Sequence, residues 1–155
     1  PHTTLFRSTR KSRASSPRSI GWRERVSFPD FDITGVKAKV DSGAQTSSIH
    51  AFRPRFSQKD DEEWVSFEIH PRRRSRKDAV RVRAKVKTRR RIRSSNGKSE
   101  IRPVIETTMI LGGEAFVAEL TLANRHLMAY RMILGRSAVR GRFTIDPAKS
   151  YLFGE

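Results

Sequence analysis

The chain has 155 residues, no cysteine and a formal net charge of +17. That length accommodates one domain with a real core, and the missing cysteine excludes disulfides, thiolate metal sites and a cysteine nucleophile. No apolar run approaches the roughly 20 residues of a membrane-spanning helix, and no signal-peptide core is visible, so a cytoplasmic protein without a membrane partner is expected.

The charge is concentrated. Residues 1–19 carry Arg7, Arg10, Lys11, Arg13 and Arg18 with no acid and little apolar periodicity, which reads as a flexible basic tail ahead of a domain over 20–155. The initial Pro1 is what a trimmed start would leave. A second block, Arg72–Arg93, holds thirteen Lys and Arg against the single acid Asp78. Such blocks attract nucleic acid, anionic surfaces or acidic peptides, or else form solvated faces.

In chain order, Trp22–Phe28 alternates with Trp22, Glu24, Val26 and Phe28 on one side, a strand that tolerates an acid on its apolar face. Ile33–Val40 is the next strand, Asp41–Gln45 a turn, and Thr46–Phe52 extended again. Arg53–Glu63 reads as a loop ending in an acidic run, and Trp64–His70 as a strand. Val80, Val82, Ala84 and Val86 alternate with Arg81, Arg83, Lys85 and Lys87, giving one apolar and one basic face. Asn96-Gly97 between extended runs predicts a projecting hairpin over Lys87–Ile105, with Pro103 confined to an edge. A further hairpin spans Thr108–Leu122 through Gly112-Gly113, and Asn124–Ala129 is a loop. Tyr130–Leu134 is extended, Ser137 caps a short helix over Ala138–Arg140, and Phe143–Asp146 and Ser150–Phe153 are short strands. Many short strands with one short helix predict an all-β barrel or sandwich.

Within this pattern the stretch Val36–His50 stands out, because Asp41 ends an apolar-faced strand and is followed at once by Ser42, Gly43 and Ala44. Two readings fit those residues: a β-turn in which Asp41 caps its own backbone and Gly43 supplies a positive φ, or a carboxylate placed for chemistry.

The Asp41–Ala44 turn, the later run Ile133-Leu134-Gly135-Arg136 with its short helix, and the hairpin between them resemble the retropepsin-type aspartic peptidases. The resemblance is closer to the bacterial subgroup labelled "ATP-dependent zinc protease" and associated with ribosomal-protein glutamate ligases. It is carried by Gly21–Glu24, Lys37–His50, Ser95–Gly97, Thr121–Arg125, Met132–Arg136, Arg142-Phe143, Asp146-Pro147 and Ser150–Leu152. It implies a closed acid-protease barrel with a flap hairpin and one short C-terminal helix. The implied catalytic residues are Asp41, Ser42 and Gly43; Ala44, Asn96 and Gly97 would touch substrate, and Ile133, Leu134, Gly135 and Arg136 would support the site.

Such peptidases need two carboxylates sharing a proton, one acting as base on a water and the other as acid. Only one Asp-Ser-Gly is present, since Asp146-Pro147 lacks the hydroxyl and the glycine, so the resemblance implies a homodimer in which Asp41 meets its own copy. Retroviral members have an acid where this chain has Gln45, which leaves Arg136 to find a neutral partner or another acid. No cofactor is expected. There is no His-Glu-x-x-His and no Gly-x-x-x-x-Gly-Lys-Ser/Thr, and His50 and His70 are the remaining metal candidates. The expected substrate is a peptide or protein, with acidic tails favoured by the basic block. A zinc peptidase and a non-enzymatic barrel associating with RNA or ribosomes through the basic hairpin are the competing readings.

Overall fold

A computed structural model describes residues 17–72, 77–93, 97–125 and 128–154. The first strands are β1 (Arg18–Gly21), β2 (Arg23–Phe28), β3 (Ile33–Val40), β4 (Ser47–His50), β5 (Phe52–Lys59) and β6 (Glu62–Ile69). There follow β7 (Val80–Lys85), β8 (Thr88–Arg93), β9 (Ser99–Leu111), β10 (Glu114–Ala123) and β11 (Met132–Leu134), then the helix α1 (Arg136–Val139) and β12 (Phe143–Asp146). None of the described helices is long and apolar enough to cross a membrane.

Strand order β10-β4-β11-β3-β2-β9, with β9 pairing back onto β10, closes a six-stranded barrel. Closure leaves no free edge along that ring, which is how small all-β domains satisfy their backbone groups. The inward residues that the alternation predicts are Val26 and Phe28 on β2, Val36 and Ala38 on β3, and Leu120 and Leu122 on β10, and a bulge in the β2–β3 register brings Ile33 inward as well. Strands β5-β6-β7 form a separate antiparallel sheet whose Val65, Phe67, Ile69, Val82 and Ala84 join the same apolar cluster as the barrel. Its link to the barrel includes Phe67 edge-on to Phe31 at 6.5 Å, in the 3-10 turn Pro29–Phe31. The basic face of β7 lies outward, as the alternation requires, and its cations are answered across the ladder. Arg81 reaches Ser66 and Glu68, Arg83 stacks 4.2 Å over Trp64, and Lys85 pairs with Glu62.

Several boundaries differ from the sequence reading. The expected loop over Arg53–Glu63 is mostly strand β5, whose side chains are nearly all exposed, so burial imposed no apolar alternation on it. Pro54 is tolerated because β5 is an edge strand. Its turn is Asp60-Asp61, both at positive φ (54° and 63°), the conformation that two-residue hairpins require. The two hairpins predicted on either side of Thr108 share one long strand: β9 pairs with β8 over 99–104 and with β10 over 104–111. Ser137 does not cap α1. Gly135 is the N-cap, without a side-chain hydrogen bond, and the helix starts two residues earlier than expected. β1 takes in Arg18 and Ser19, which the composition assigns to the tail. Residues 1–16 of that tail, the hairpin residues Ser94, Ser95 and Asn96, and His126 lie outside the described residues.

The acid on the apolar face of β2 has a structural explanation. Glu24 is 1% exposed, and its two oxygens accept three backbone N–H groups: Gly21 (2.8 Å), Leu152 (3.0 Å) and Phe153 (3.4 Å). The expected strand Ser150–Phe153 is therefore a clamped turn, with Tyr151 at φ 51° and two of its donors held by a side chain instead of a neighbouring strand. Gly21 is where this segment crosses closest, since a Cβ there would collide with the Lys149 carbonyl oxygen. Glu24→Gln replaces one acceptor with a donor that faces other donors and leaves at least one buried N–H unpaired. The unfolding free energy should fall by about 2 kcal/mol, read as a lower urea midpoint with an unchanged m value.

Candidate active site

Asp41 follows β3 directly, and its turn is held by backbone. Asp41 N–H donates to the Leu134 carbonyl (2.9 Å), and Ala44 N–H donates to the Asp41 carbonyl (3.1 Å). The Gly43 N–H donates to Asp41 Oδ1 at 3.0 Å, so the side chain does cap its own turn. Gly43 is not among the glycines at positive φ. Its missing side chain instead leaves the approach to the carboxylate open, because a Cβ there would meet only Asp41 Oδ1, at 3.3 Å. Asp41 is half-buried, while Ser42 and Gly43 are exposed. Among the described residues neither Asp41 Oδ2 nor the Ser42 hydroxyl has a hydrogen-bond partner.

The predicted supporting run passes beneath this turn. β11 pairs in parallel with β3 and antiparallel with β4, which puts Leu134 beside Val40 and Ile133 beside Ser48. Gly135 lies so close to the returning chain that a Cβ would stand 2.5 Å from the Thr46 carbonyl carbon, which excludes even alanine. Beyond it, Arg136 N–H donates to the Ala44 carbonyl (2.8 Å) and Ser137 N–H to the Gln45 carbonyl (3.0 Å). The Arg136 guanidinium donates to the Ser42 carbonyl (2.8 Å) and to Gln45 Oε1 (2.9 Å). Ser47 Oγ accepts the Gly135 N–H at 3.0 Å. Beside Asp41 opens an apolar recess of about 160 Å³ walled by Val40, Val139 and the exposed Ile145.

The hairpin expected over Lys87–Ile105 is formed by β8 and β9. Gly97, at φ 87°, has nothing within 4 Å of where a Cβ would be, so this part of the tip stands in open space. The flap's base is anchored by a charge cluster that the sequence did not reveal. Glu119 of β10 takes Arg90 on both oxygens (2.7 and 3.3 Å) and Lys87 at 2.9 Å, and Lys87 also reaches Glu106. The hydrogen bonds from Arg90 and Lys87 hold the Glu119 carboxyl down to about 2 from its usual 4.5. Arg90 and Lys87 reach Glu119 across 29 residues or more of chain, and no local pattern in the sequence signals that crossing.

One further arginine, Arg125, lies within electrostatic range of Asp41. Arg125, which follows β10, is half-buried; burial lowers the pKa of its guanidinium, Arg102 pushes the same way, and Asp41 opposes both. Its backbone N–H donates to His50 Nδ1 at 2.7 Å, and its Nε donates to the Tyr130 carbonyl. That bond occupies the His50 Nδ1 lone pair. The His50 and His70 rings both lie against Phe52, the first edge-on at 4.0 Å and the second stacked at 3.6 Å. His70 Nε2 is 3.1 Å from Glu68. Among the described residues no three His, Cys, Asp or Glu are grouped to hold a metal ion.

A closed barrel, an Asp-Ser-Gly-Ala turn crossed by an apolar-Gly-Arg strand, and a β8–β9 hairpin extending from the barrel agree with the sequence comparisons. The model of RimB-like proteins, described as the retropepsin-like aspartic endopeptidase RimB, matches residues 19–155. The chain belongs to this family. Among curated proteins it is 50% identical over 136 residues to a "Probable alpha-L-glutamate ligase" of Shewanella pealeana and 49% identical to one of Desulfotalea psychrophila. Each match covers 88% of this chain, and the chain spans only about 30% of the length of those relatives. A Legionella pneumophila protein of unknown function, Lpg0085, has the same fold at 22% identity, with a TM-score of 0.72 over 88% of this chain and 98% of that one.

Within the family's architecture, the question left by Gln45 is answered by its amide oxygen, a neutral acceptor for Arg136. Gln45→Glu makes that bond charge-assisted. Thermal stability should rise by roughly 0.5–1 kcal/mol at low salt, with the gain shrinking in high salt. For Glu119 the sign follows from its depressed pKa: its contribution is full above about pH 4.5 and is lost as pH falls toward about 2. Acid titration of stability should therefore be shallower over that window in Glu119→Gln than in the parent, from a lower starting value.

Proposed function

We propose that the chain is an aspartic-type peptidase acting as a C2 homodimer, in which a water held between the two Asp41 carboxylates attacks a peptide or isopeptide bond. One carboxylate takes the water's proton while the other, protonated, donates to the carbonyl oxygen; on collapse of the tetrahedral intermediate the first passes its proton to the leaving nitrogen and the second recovers its own from the hydroxyl. The observation that carries the reading is the Asp41 turn itself. A lone carboxylate sits on an over-determined crossing, half open to solvent, with one oxygen and the neighbouring Ser42 hydroxyl unpartnered among the described residues. A second copy supplies what both lack, and the apolar recess beside Asp41 gives that copy a surface to cover.

Acidic tails, including glutamate-rich extensions of ribosomal proteins, are the substrates favoured. Relatives that contain this segment carry the name glutamate ligase, and a hydrolase acting on the bond that a ligase makes is a chemically coherent companion. The flap is basic, with Arg89, Arg91 and Arg93 exposed on β8.

The test is Asp41→Asn, scored by mass spectrometry on a glutamate-tailed peptide. Loss of an acid–base pair should lower turnover by roughly 10³-fold. When wild-type and variant chains are mixed and allowed to exchange, activity should follow the square of the wild-type fraction, because each dyad needs both carboxylates. A linear dependence, or an active monomer in sedimentation, would contradict the shared dyad. Loss of activity on chelation would favour the zinc reading. Tight RNA binding that collapses with salt and ignores Asp41→Asn, with no hydrolysis, would favour the nucleic-acid reading.

A further inference from the structure

Three arginines border the side of the Asp41 turn along which β4 runs. Arg90 and Arg102 are directly opposed in the β8–β9 ladder, and both turn toward β4. Arg90 Nη1 comes within 3.5 Å of Thr46 Oγ1, and Arg102 Nη1 within 3.5 Å of Ser48 Oγ. Like charges directly opposite on a hairpin repel, so each needs a counter-charge. Arg90 has one built into the barrel wall, Glu119. Arg102 does not. Its partner is Glu100, two residues along the same strand at 2.6 Å, with a side chain 57% exposed against 15% for Arg102. A mostly buried guanidinium is thus satisfied by a carboxylate that stands mostly in water, and such a pair contributes little to stability. Arg125 adds a second cation, with no carboxylate in ion-pair reach among the described residues and a charge that feels both Arg102 and Asp41.

Position and space fit a ligand. Ser48 is paired with Ile133, and Leu134 with Val40, the residue before Asp41, so β4 lies two strand spacings from the catalytic strand, about 10 Å. A glutamate within the first two residues beside a bond held at Asp41 spans that distance. Arg102 and Glu100 also line a groove of about 730 Å³ between the flap and β5, whose apolar walls include Phe56 and Ile101. Both of those side chains are exposed.

We propose that Arg102 and Arg125 form a subsite that reads a side-chain carboxylate of the substrate, and that Glu100 occupies it in the free protein as an internal competitor. An incoming glutamate or aspartate displaces Glu100 from Arg102, exchanging one charge-assisted pair for another without desolvating the arginine anew. Glutamine cannot make that exchange. The proposal rests on the peptidase reading only for where the scissile bond lies.

The experiment is calorimetric titration of the Asp41→Asn protein with a capped five-residue peptide bearing three central glutamates, and with its glutamine counterpart. The glutamate peptide should bind about tenfold tighter or better, a preference expected of a charged over a neutral partner. Arg102→Gln with Arg125→Gln should abolish that preference, and Arg102→Lys should retain part of it. Glu100→Gln should tighten the glutamate peptide several-fold and leave the glutamine peptide unchanged. Glu114→Gln, which removes an exposed acid at the far β9–β10 turn, should change neither. A preference that survives the double arginine variant overturns the subsite, as does its absence in the parent. Weaker or unchanged glutamate binding in Glu100→Gln makes Glu100 a brace for the flap and overturns its role as competitor. Hydrolysis by the Asp41 protein is scored separately: arginine-dependent preference without cleavage removes the peptidase reading and keeps the subsite, and cleavage without preference does the reverse.

Discussion

The passage of Leu134–Ser137 beneath the Asp41 turn is the constraint on which the rest of this molecule depends. Backbone bonds at Asp41, Arg136 and Ser137 lock the two segments in register, and Gly135 lets them approach closer than any side chain permits. The Arg136 guanidinium then ties Ser42 and Gln45 to the same run. None of these bonds uses the Asp41 carboxyl, whose one hydrogen bond within the turn is from the Gly43 N–H to Oδ1, so Oδ2 is left open. That is the condition for a group whose protonation has to change during a reaction.

Barrel closure supplies the second level of control. Because β9 pairs with β8 at one end and β10 along the other, the flap continues a barrel strand instead of standing as an appended loop. The Glu119 cluster fixes the hairpin's base, whereas a side chain at Gly97 would meet nothing within 4 Å. The large positive charge is distributed by the same logic, since the outward cations of β7 are matched across the ladder by Glu62, Trp64, Ser66 and Glu68. Charge that looks like one undifferentiated basic block in the sequence is divided in the fold between paired β7 and the exposed arginines of the flap.

Much of this was legible residue by residue. Alternation located β2, β3, β6, β7 and β10 because burial on one face of a pleated strand imposes a period of two. It failed on β5, whose faces are both exposed, and on the last residues, whose hydrogen bonds go to the Glu24 side chain. Glu24 itself looked like a blemish in an apolar pattern and is the acceptor that fastens the C-terminal turn. The Asp41 turn and its Gly-Arg support were recognisable from the residues, as was the question of what Arg136 would bind. The Gln45 answer needed coordinates, as did the electrostatic reach of Arg125 to both Asp41 and Arg102.

By itself, then, the sequence determined the all-β class, the Asp-Ser-Gly-Ala turn, the hairpin and the count of one Asp-Ser-Gly per chain, since these are local properties of spacing and residue type. Only the tertiary structure decided which charges meet: Arg90 with Glu119, Arg102 with Glu100, and Arg125 near Asp41. Electrostatic energy depends on distance through space, and closing a barrel brings together groups far apart along the chain.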